Sequence, residues 1–280
     1  MAIAKSRGAV ARDWGINVVL VLLAVVMLAP FWWVMVTSFL SYDDAFSLPP
    51  KWLPSSITFE NYREVFKLVP FGRMVFNSLK ISTIITVGAV TTSTLAAYAF
   101  ARLRFPGSNI IFIIFLAALM VPGQVTVIPI FVMLRKMHLL NTHEAVYLPA
   151  LINVFGIFLL RQFFLSIPRE LEDSAKLDGA GHLRILVQII MPLAAPAIAA
   201  LSIFIFQASW NDFFWPNILL FSQEKMTLPV GLVALQGAYG GGPVVYLFAG
   251  LAMLVFPLLV LFVFTQRTLT ESIAMTGIKG

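Results

Sequence analysis

Long uncharged apolar runs recur along the chain, and short polar segments separate them. A helix needs about 20 apolar residues to cross the hydrocarbon core of a bilayer. The runs predict six spans, over residues 14–40, 76–101, 109–134, 144–165, 185–211 and 244–267. The fold class is therefore all-α, a polytopic membrane protein, and we treat residues 1–280 as one transmembrane domain. A short helix at the membrane surface is predicted near residues 59–66.

The composition supports a membrane protein. Hydrophobic residues make up 60% of the chain and charged residues 11%, whereas soluble domains carry about a quarter charged residues. The net charge of +6 does not indicate a nucleic-acid partner, because most Lys and Arg lie in the segments between apolar runs. The absence of cysteine from the sequence excludes disulfides and thiolate metal sites.

The distribution of Lys and Arg also predicts the orientation. Six spans place both termini on the same side of the membrane. With the termini inside, the larger share of the basic residues lies in cytoplasmic segments, as the positive-inside rule requires. We therefore expect a multi-pass protein of the lipid bilayer with both termini in the cytoplasm.

One polar segment, residues 167–181, lies on the predicted cytoplasmic side between the fourth and fifth spans. Its acidic residues suit the positive end of a helix, and Gly179 or Gly181 supplies a C-terminal reversal. These signals predict a surface helix over residues 169–183. One interpretation is that this is merely a capped amphipathic helix, of a kind that any loop between spans can contain.

The spacing within this segment carries more information. Asp173-Ser174-Ala175, three residues, Gly179, nine residues, Ile189, one residue and then Met191-Pro192 resembles the EAA motif of ATP-binding-cassette (ABC) importer permeases. Asp stands for the usual Glu of that motif, Ser for its first Ala, and Met for its Leu before Pro.

The resemblance implies a coupling helix that docks on a cytoplasmic ATPase subunit. The residues carried over to that docking surface are Arg169, Glu172, Asp173, Ser174, Ala175, Asp178, Gly179 and Ala180. ATP and Mg would be bound by the partner ATPase, and this chain would bind no cofactor of its own. The expected small residues allow another protein to approach the backbone closely.

Other segments widen the resemblance to the maltose-transporter type of importer permease. They are Val121–Gln124, Phe155–Phe164, Trp210–Phe213 and Gly277–Gly280. The resemblance implies carbohydrate uptake through the plasma (inner) membrane of a prokaryote. It also implies a homologous second permease and an extracytoplasmic solute-binding protein as partners. Glycerol phosphate or another polyol derivative is the alternative substrate.

Polar residues near the spans give further candidates. Asn77, Ser78, Pro122 and Gln124 are candidates for a pathway or gate. Pro122 is also expected to kink the third span, and the many hydroxyls of the second span favour helix packing. Trp210, Asn211 and Asp212 are read as interface anchors, or as an outer contact with the binding protein or second permease.

The sequence gives little support for an enzyme or for an ion-coupled carrier. The chain has three histidines without acidic partners at metal-ligand spacing, and no phosphate-binding loop or nucleophile motif. We therefore expect a non-catalytic chain. An ion-coupled carrier is a distant alternative, because Lys80 and Arg161, the basic residues nearest the apolar cores, lie at span ends. We also find no paired interrupted helices of the kind that mark inverted-repeat transporters.

Overall fold

A computed structural model describes residues 7–49, 51–54, 56–237 and 244–277. These residues form helices and connecting turns, with no strand among them, which confirms the all-α class. The residues after Gly277, part of the ending used in the family resemblance, lie outside the described residues.

The helices follow one another with short connections. In chain order they are α1 (Arg7–Ser38), α2 (Tyr42–Ala45), α3 (Glu60–Leu68), α4 (Phe71–Arg102), α5 (Ser108–Ala118), α6 (Val127–Lys136), α7 (His143–Ala150), α8 (Val154–Ser166), α9 (Glu170–Leu177), α10 (His182–Ile185), α11 (Met191–Leu193), α12 (Ala195–Trp210), α13 (Phe214–Leu219), α14 (Leu228–Gly237) and α15 (Val244–Gly277). Single turns of 3-10 helix cover Gly123–Thr126 and Gln223–Lys225, and a π-helical segment covers Leu186–Ile190.

The chain divides into two compact units. The first comprises Met1–Val69 and Leu232–Phe256, and the second Pro70–Gly231 and Pro257–Gly280. In the first, the predicted surface helix is α3, and it is tied to the end of α1. The Asn61 amide donates to the carbonyls of Ser38 at 2.9 Å and Leu40 at 2.8 Å, so it satisfies carbonyls that the helix end leaves free.

Helix α1 is apolar and exposed. Its most hydrophobic stretch lies within Asp13–Ser38, and none of that window is buried inside the chain. A contiguous apolar surface of this size is unfavourable in water. It therefore needs lipid or another protein as its surroundings.

The second unit is organised around α4, which packs against α8 and α12. Glycine allows this close approach, since a Cβ on Gly156 would lie 2.7 Å from Ser93 Oγ. The hydroxyls of α4 serve this packing: Thr92 and Ser93 donate to the carbonyls of Leu151 at 2.5 Å and Asn153 at 3.2 Å. The structure thus supports packing as the role of these two hydroxyls.

Two of the predicted spans are not continuous helices. The third is bent by 93° between Ser108–Ala118 and Gly123–Lys136, and the fifth by 81° between His182–Leu193 and Ala195–Trp210. Pro122, where a kink was expected, is the last residue of the first break and directly precedes Gly123. The second break was not predicted, and its cause is Pro196, which has no N–H for the carbonyl four residues earlier and clashes with it.

The fourth span is interrupted as well, between α7 and α8. Asn153 caps α8 by accepting a hydrogen bond from Gly156 N at 2.7 Å, and Pro149 lies near the end of α7. This break was not anticipated in the sequence analysis, which paired no interrupted helices. Thr92 of α4 binds the Leu151 carbonyl at this break, and Ser93 binds the Asn153 carbonyl, which also accepts from Ile157 N at 3.0 Å. Broken helices are stable at membrane depth when neighbours satisfy the backbone in this way.

The number of spans is not fixed by these helices. Among the described residues, three helical stretches are individually long and apolar enough to cross a bilayer: Asp13–Ser38, Phe71–Arg102 and His143–Ser166. The two bent pairs pass the same test when each is joined, and Val244–Val260 is a shorter apolar helix. Six spans in one domain therefore stays a prediction.

Candidate coupling segment and membrane cavity

Helix α9 forms the core of the predicted coupling segment, but it is shorter than residues 169–183. It ends at Leu177 because Gly179 turns the chain with φ +78°. Ala180 N donates to Ala175 O at 2.9 Å and Gly179 N to Lys176 O at 3.0 Å, the two bonds of a Schellman motif. The reversal predicted at Gly179 is confirmed, and α10 begins as a separate helix.

The inward face of α9 carries a buried ion pair. Glu172 Oε1 lies 2.7 Å from Arg102 Nε, and the two side chains are only 5% and 2% exposed. This corrects the expectation that Glu172 belongs to the docking surface. A buried charge needs an opposite charge beside it, and that partner lies at the end of α4, too far along the chain to be read from the local pattern.

Arg102 is a connecting residue that the sequence analysis did not single out. Its Nη2 donates to the carbonyls of Phe164 and Ile167, at 2.6 Å each. One guanidinium therefore joins the end of α4, the end of α8 and the inward face of α9. The only signal in the sequence was an arginine at the end of an apolar run, which also fits an interfacial anchor.

The outward face of α9 differs from the predicted docking surface in part. Ala175 and Ala180 are half-buried and pack in part against the hydrophobic core, so they offer a partner less surface than expected. The remaining predicted residues are exposed: Arg169, Asp173, Ser174, Asp178 and Gly179. Leu177, which was not predicted, is 90% exposed at the end of the helix. An apolar side chain in that position is available for a protein contact.

The candidates for the pathway divide into two groups. Asn77 and Ser78 are buried and hold the segment before α14. The Asn77 amide donates to Glu224 O at 2.9 Å and Met226 O at 3.0 Å, and Ser78 Oγ accepts from Leu228 N at 2.8 Å. These two residues therefore pack rather than face open space within the chain, which corrects that expectation. Pro122 and Gln124 are exposed at the bend of the third span.

The outer-contact candidates also separate. Trp210 is fully buried and stacks on Phe206 with 6.1 Å between ring centroids, so it is neither an interface anchor nor an outer contact. Asn211 is exposed. Asp212 is half-buried, and its Oδ1 accepts a hydrogen bond from Trp215 N at 3.3 Å. Whether each of these three residues is buried or exposed depends on how α12 packs against α4, and no local sequence pattern indicates that packing.

Asp212 lies on the wall of a cavity of about 420 Å³ inside the second unit. The wall is mostly apolar, and its polar side chains are Asn153, Ser209 and Asp212. The apolar part is formed by Ile85, Ile130, Ala145, Val146, Pro149, Ala150, Ile152, Ile205, Ala208, Trp215 and Leu219. The interruption between α7 and α8 contributes Ile152 and Asn153, so the broken helix and the cavity belong to one feature.

Comparison with known proteins identifies the family. The model of the binding-protein-dependent transport system inner membrane component matches residues 85–269. The chain belongs to this family. The EAA-type segment and the cavity both lie within the matched region, so this permease carries them as parts of its family domain.

Curated relatives of the permease are transport permeases. The arabinooligosaccharides transport system permease protein AraQ of Halalkalibacterium halodurans is 36% identical over 81% of each chain. The sn-glycerol-3-phosphate transport system permease protein UgpE of Yersinia enterocolitica is 31% identical over 81% of this chain and 83% of its own. These relatives confirm the resemblance to ABC importer permeases.

A solved structure shows the same fold. It is a chain of a bacterial ABC transporter involved in the import of the acidic polysaccharide alginate, with a TM-score of 0.83 and 24% sequence identity. The match covers 95% of the permease and 99% of that chain. The permease therefore has the same fold as that transporter chain.

Proposed function

We propose that the permease is one of two homologous membrane subunits that enclose the pathway of a carbohydrate importer. A solute-binding protein delivers the carbohydrate from outside the cell, and ATPase subunits bind and hydrolyse ATP with Mg in the cytoplasm. The permease itself is non-catalytic. It lies in the plasma (inner) membrane of a prokaryote, with both termini and α9 on the cytoplasmic side.

The observation that carries the proposal is the two-sided character of α9. Its outward face presents exposed residues, including Ser174 and Leu177, to a partner. Its inward face is fastened by the buried Glu172–Arg102 pair. A surface helix that only filled the connection between two spans would need no such attachment, through Arg102, to α4 and α8.

The same geometry gives a mechanism for coupling. When the ATPase subunits close, they push the docked α9. Because Arg102 holds α9, α8 and α4 together, the displacement reaches the ends of α4 and α8 as a rigid-body movement. Those helices then tilt and change which side of the membrane the pathway faces.

Carbohydrate is the proposed cargo because several similar permeases are named for it. Besides AraQ, the diacetylchitobiose uptake system permease protein DasC of Streptomyces coelicolor is 31% identical over 96% of this chain. Glycerol phosphate is the second candidate, since UgpE is named for sn-glycerol 3-phosphate and has similar identity.

Uptake measurements test this proposal. Cells that carry the complete importer would be compared with cells lacking this chain, using radiolabelled arabinotriose, N,N′-diacetylchitobiose and sn-glycerol 3-phosphate. We expect chain-dependent uptake of at least one of the two neutral sugars, and its loss when the ATPase subunit is inactivated. Uptake that continues without ATP hydrolysis, driven by an ion gradient, would contradict the importer.

A further inference from the structure

The cavity reaches the middle of the long helix α4. Ile85 lines the cavity, and α4 runs from Phe71 to Arg102. At 1.5 Å per residue, Ile85 lies about 21 Å from the start of the helix and about 26 Å from its end. A group bound in the cavity would therefore lie near the centre of the membrane, where a translocation pathway must pass.

The polar groups of the cavity suit hydroxyl groups. Asp212 supplies carboxylate oxygens as acceptors. Asn153 Oδ1 accepts a hydrogen bond from Gly156 N, which leaves the Asn153 amide nitrogen as a donor, whereas the Ser209 hydroxyl oxygen is itself buried and does not face the open space. A hydroxyl both donates and accepts, so this mixed set matches an alcohol better than a purely anionic group.

The only charged side chain that lines the cavity, among the described residues, is that of Asp212. Within the described part of the chain, no Lys or Arg lines it, and no cationic side chain forms an ion pair with Asp212. Around a phosphate or a carboxylate, the side chain of Asp212 would be a repulsive neighbour in surroundings of low polarity. The cationic donors that would stabilise an anion are missing from the same wall.

The size and walls of the cavity suit a small ring. Its volume of about 420 Å³ falls in the range of about 300–1,000 Å³ that small-molecule sites occupy. Trp215 offers an aromatic side chain beside Asp212. The backbone N–H of Trp215 donates a hydrogen bond to Asp212 Oδ1. A sugar ring has apolar C–H faces and a polar rim, which matches apolar walls with a few polar groups.

We propose that this cavity binds neutral polyhydroxylated solutes, such as one ring of an uncharged saccharide, and that the Asp212 carboxylate both accepts solute hydroxyls and disfavours anions. This inference rests on the proposed function, and it adds a site and a charge preference. Under this inference glycerol phosphate is not a substrate of this permease, although other members of the family are named for it.

The sequence contains no cysteine, so a single introduced thiol can report on the cavity. Ala208 lines the cavity and is exposed, so in the Ala208→Cys variant of the complete importer, purified into nanodiscs, we would measure reaction rates with a cationic and an anionic methanethiosulfonate. Each rate is divided by that of a free thiol. We expect the cationic reagent to react about tenfold faster, and Asp212→Asn to remove most of that difference. Ser174→Cys on exposed α9 is the control, in which Asp212→Asn should change nothing.

Two outcomes of the labelling would overturn the site. One is equal rates for both reagents in Ala208→Cys, which would show that Asp212 places no negative charge in the cavity. The other is no reaction with either reagent, which would show that water does not reach it, as expected if lipid tails or packing fill the space.

Protection by solutes completes the test. We expect arabinotriose or N,N′-diacetylchitobiose, whichever the cells take up, to slow the labelling at least threefold, and sn-glycerol 3-phosphate to leave it unchanged. Protection by the phosphate alone would overturn the charge preference while leaving the importer intact. Loss of all uptake in the cell experiment would instead count against the proposed function, and the charge dependence of labelling would still report on the cavity.

Discussion

The coupling segment and the cavity each contain a carboxylate within the second unit, and the two carboxylates have opposite surroundings. Glu172 is buried beside Arg102. Asp212 is half-buried, and no Lys or Arg among the described residues forms an ion pair with it. A paired buried charge holds elements in one arrangement. An unpaired carboxylate on a cavity wall keeps its hydrogen-bonding capacity for something else. The difference suggests that the first region transmits movement and the second meets the solute.

Breaking the buried pair should have the largest effect. Glu172→Ala leaves the Arg102 guanidinium without its counter-charge, which costs about 3–5 kcal/mol of stability. We expect a lower unfolding temperature of the purified importer and strongly reduced uptake. Lys176→Ala is the matched control on the same helix, because its ion pair with Asp173 is exposed and such pairs contribute about 0–1 kcal/mol. Equal effects of the two variants would contradict the role of the buried pair.

The packing of α4 against α8 gives the next effect. In Gly156→Ala the new Cβ would lie 2.7 Å from Ser93 Oγ and 3.1 Å from a Leu201 methyl. Overpacking of this kind costs about 1–3 kcal/mol, measured as a fall in the unfolding temperature. Gly72→Ala, in the first turns of α4 with nothing within 4 Å, should be neutral or slightly stabilising. An unchanged unfolding temperature in Gly156→Ala would show that Ser93 and Leu201 can move aside at little cost.

Two glycines with the same backbone conformation separate docking from strain. Gly179 and Gly107 both have φ +78°, and a Cβ added at either position would meet nothing within 4 Å. Valine at either position should cost about 1–2 kcal/mol. We expect only Gly179→Val to abolish uptake and weaken ATPase binding, because only Gly179 lies at the proposed docking surface. If Gly107→Val reduces uptake equally, the loss comes from strain in the turn.

The smallest effect is expected where Asn77 holds the segment before α14. Asn77→Ala removes two hydrogen bonds to backbone carbonyls, a net cost of about 1–2 kcal/mol. The neighbouring exposed pair of Arg73 with Glu224 provides the control, since Arg73→Ala should cost less than about 1 kcal/mol. Thermal unfolding of both variants decides this, and a larger loss in Arg73→Ala would reverse the assignment.

Sequence patterns predicted the parts of the molecule that local chemistry determines. The apolar runs gave the helical membrane class, and Gly179 marked the end of α9 because only a residue tolerant of positive φ fits there. The inward direction of Glu172 could not be predicted, because it depends on Arg102 in another helix. Pro149 and Asn153 did signal the break before α8, yet the surrounding apolar run hid it.

The cavity was the least predictable feature. The sequence alone places Asp212 at the outer end of a continuous fifth span. That span is bent by 81° before α12, and a cavity wall drawn from several helices has no sequence pattern of its own. Only the packing of α12 against α4 brings Asp212 and Ile85 to one space.

Cross-linking from α9 tests the central claim most directly. Ser174→Cys in the otherwise cysteine-free permease would be treated with a short thiol-to-amine cross-linker in the purified complete importer. We predict a product that contains the permease and an ATPase subunit, and none from Gln124→Cys at the exposed bend of the third span. A cross-link to the ATPase subunit from Gln124→Cys but not from Ser174→Cys would contradict the assignment of α9 as the docking helix.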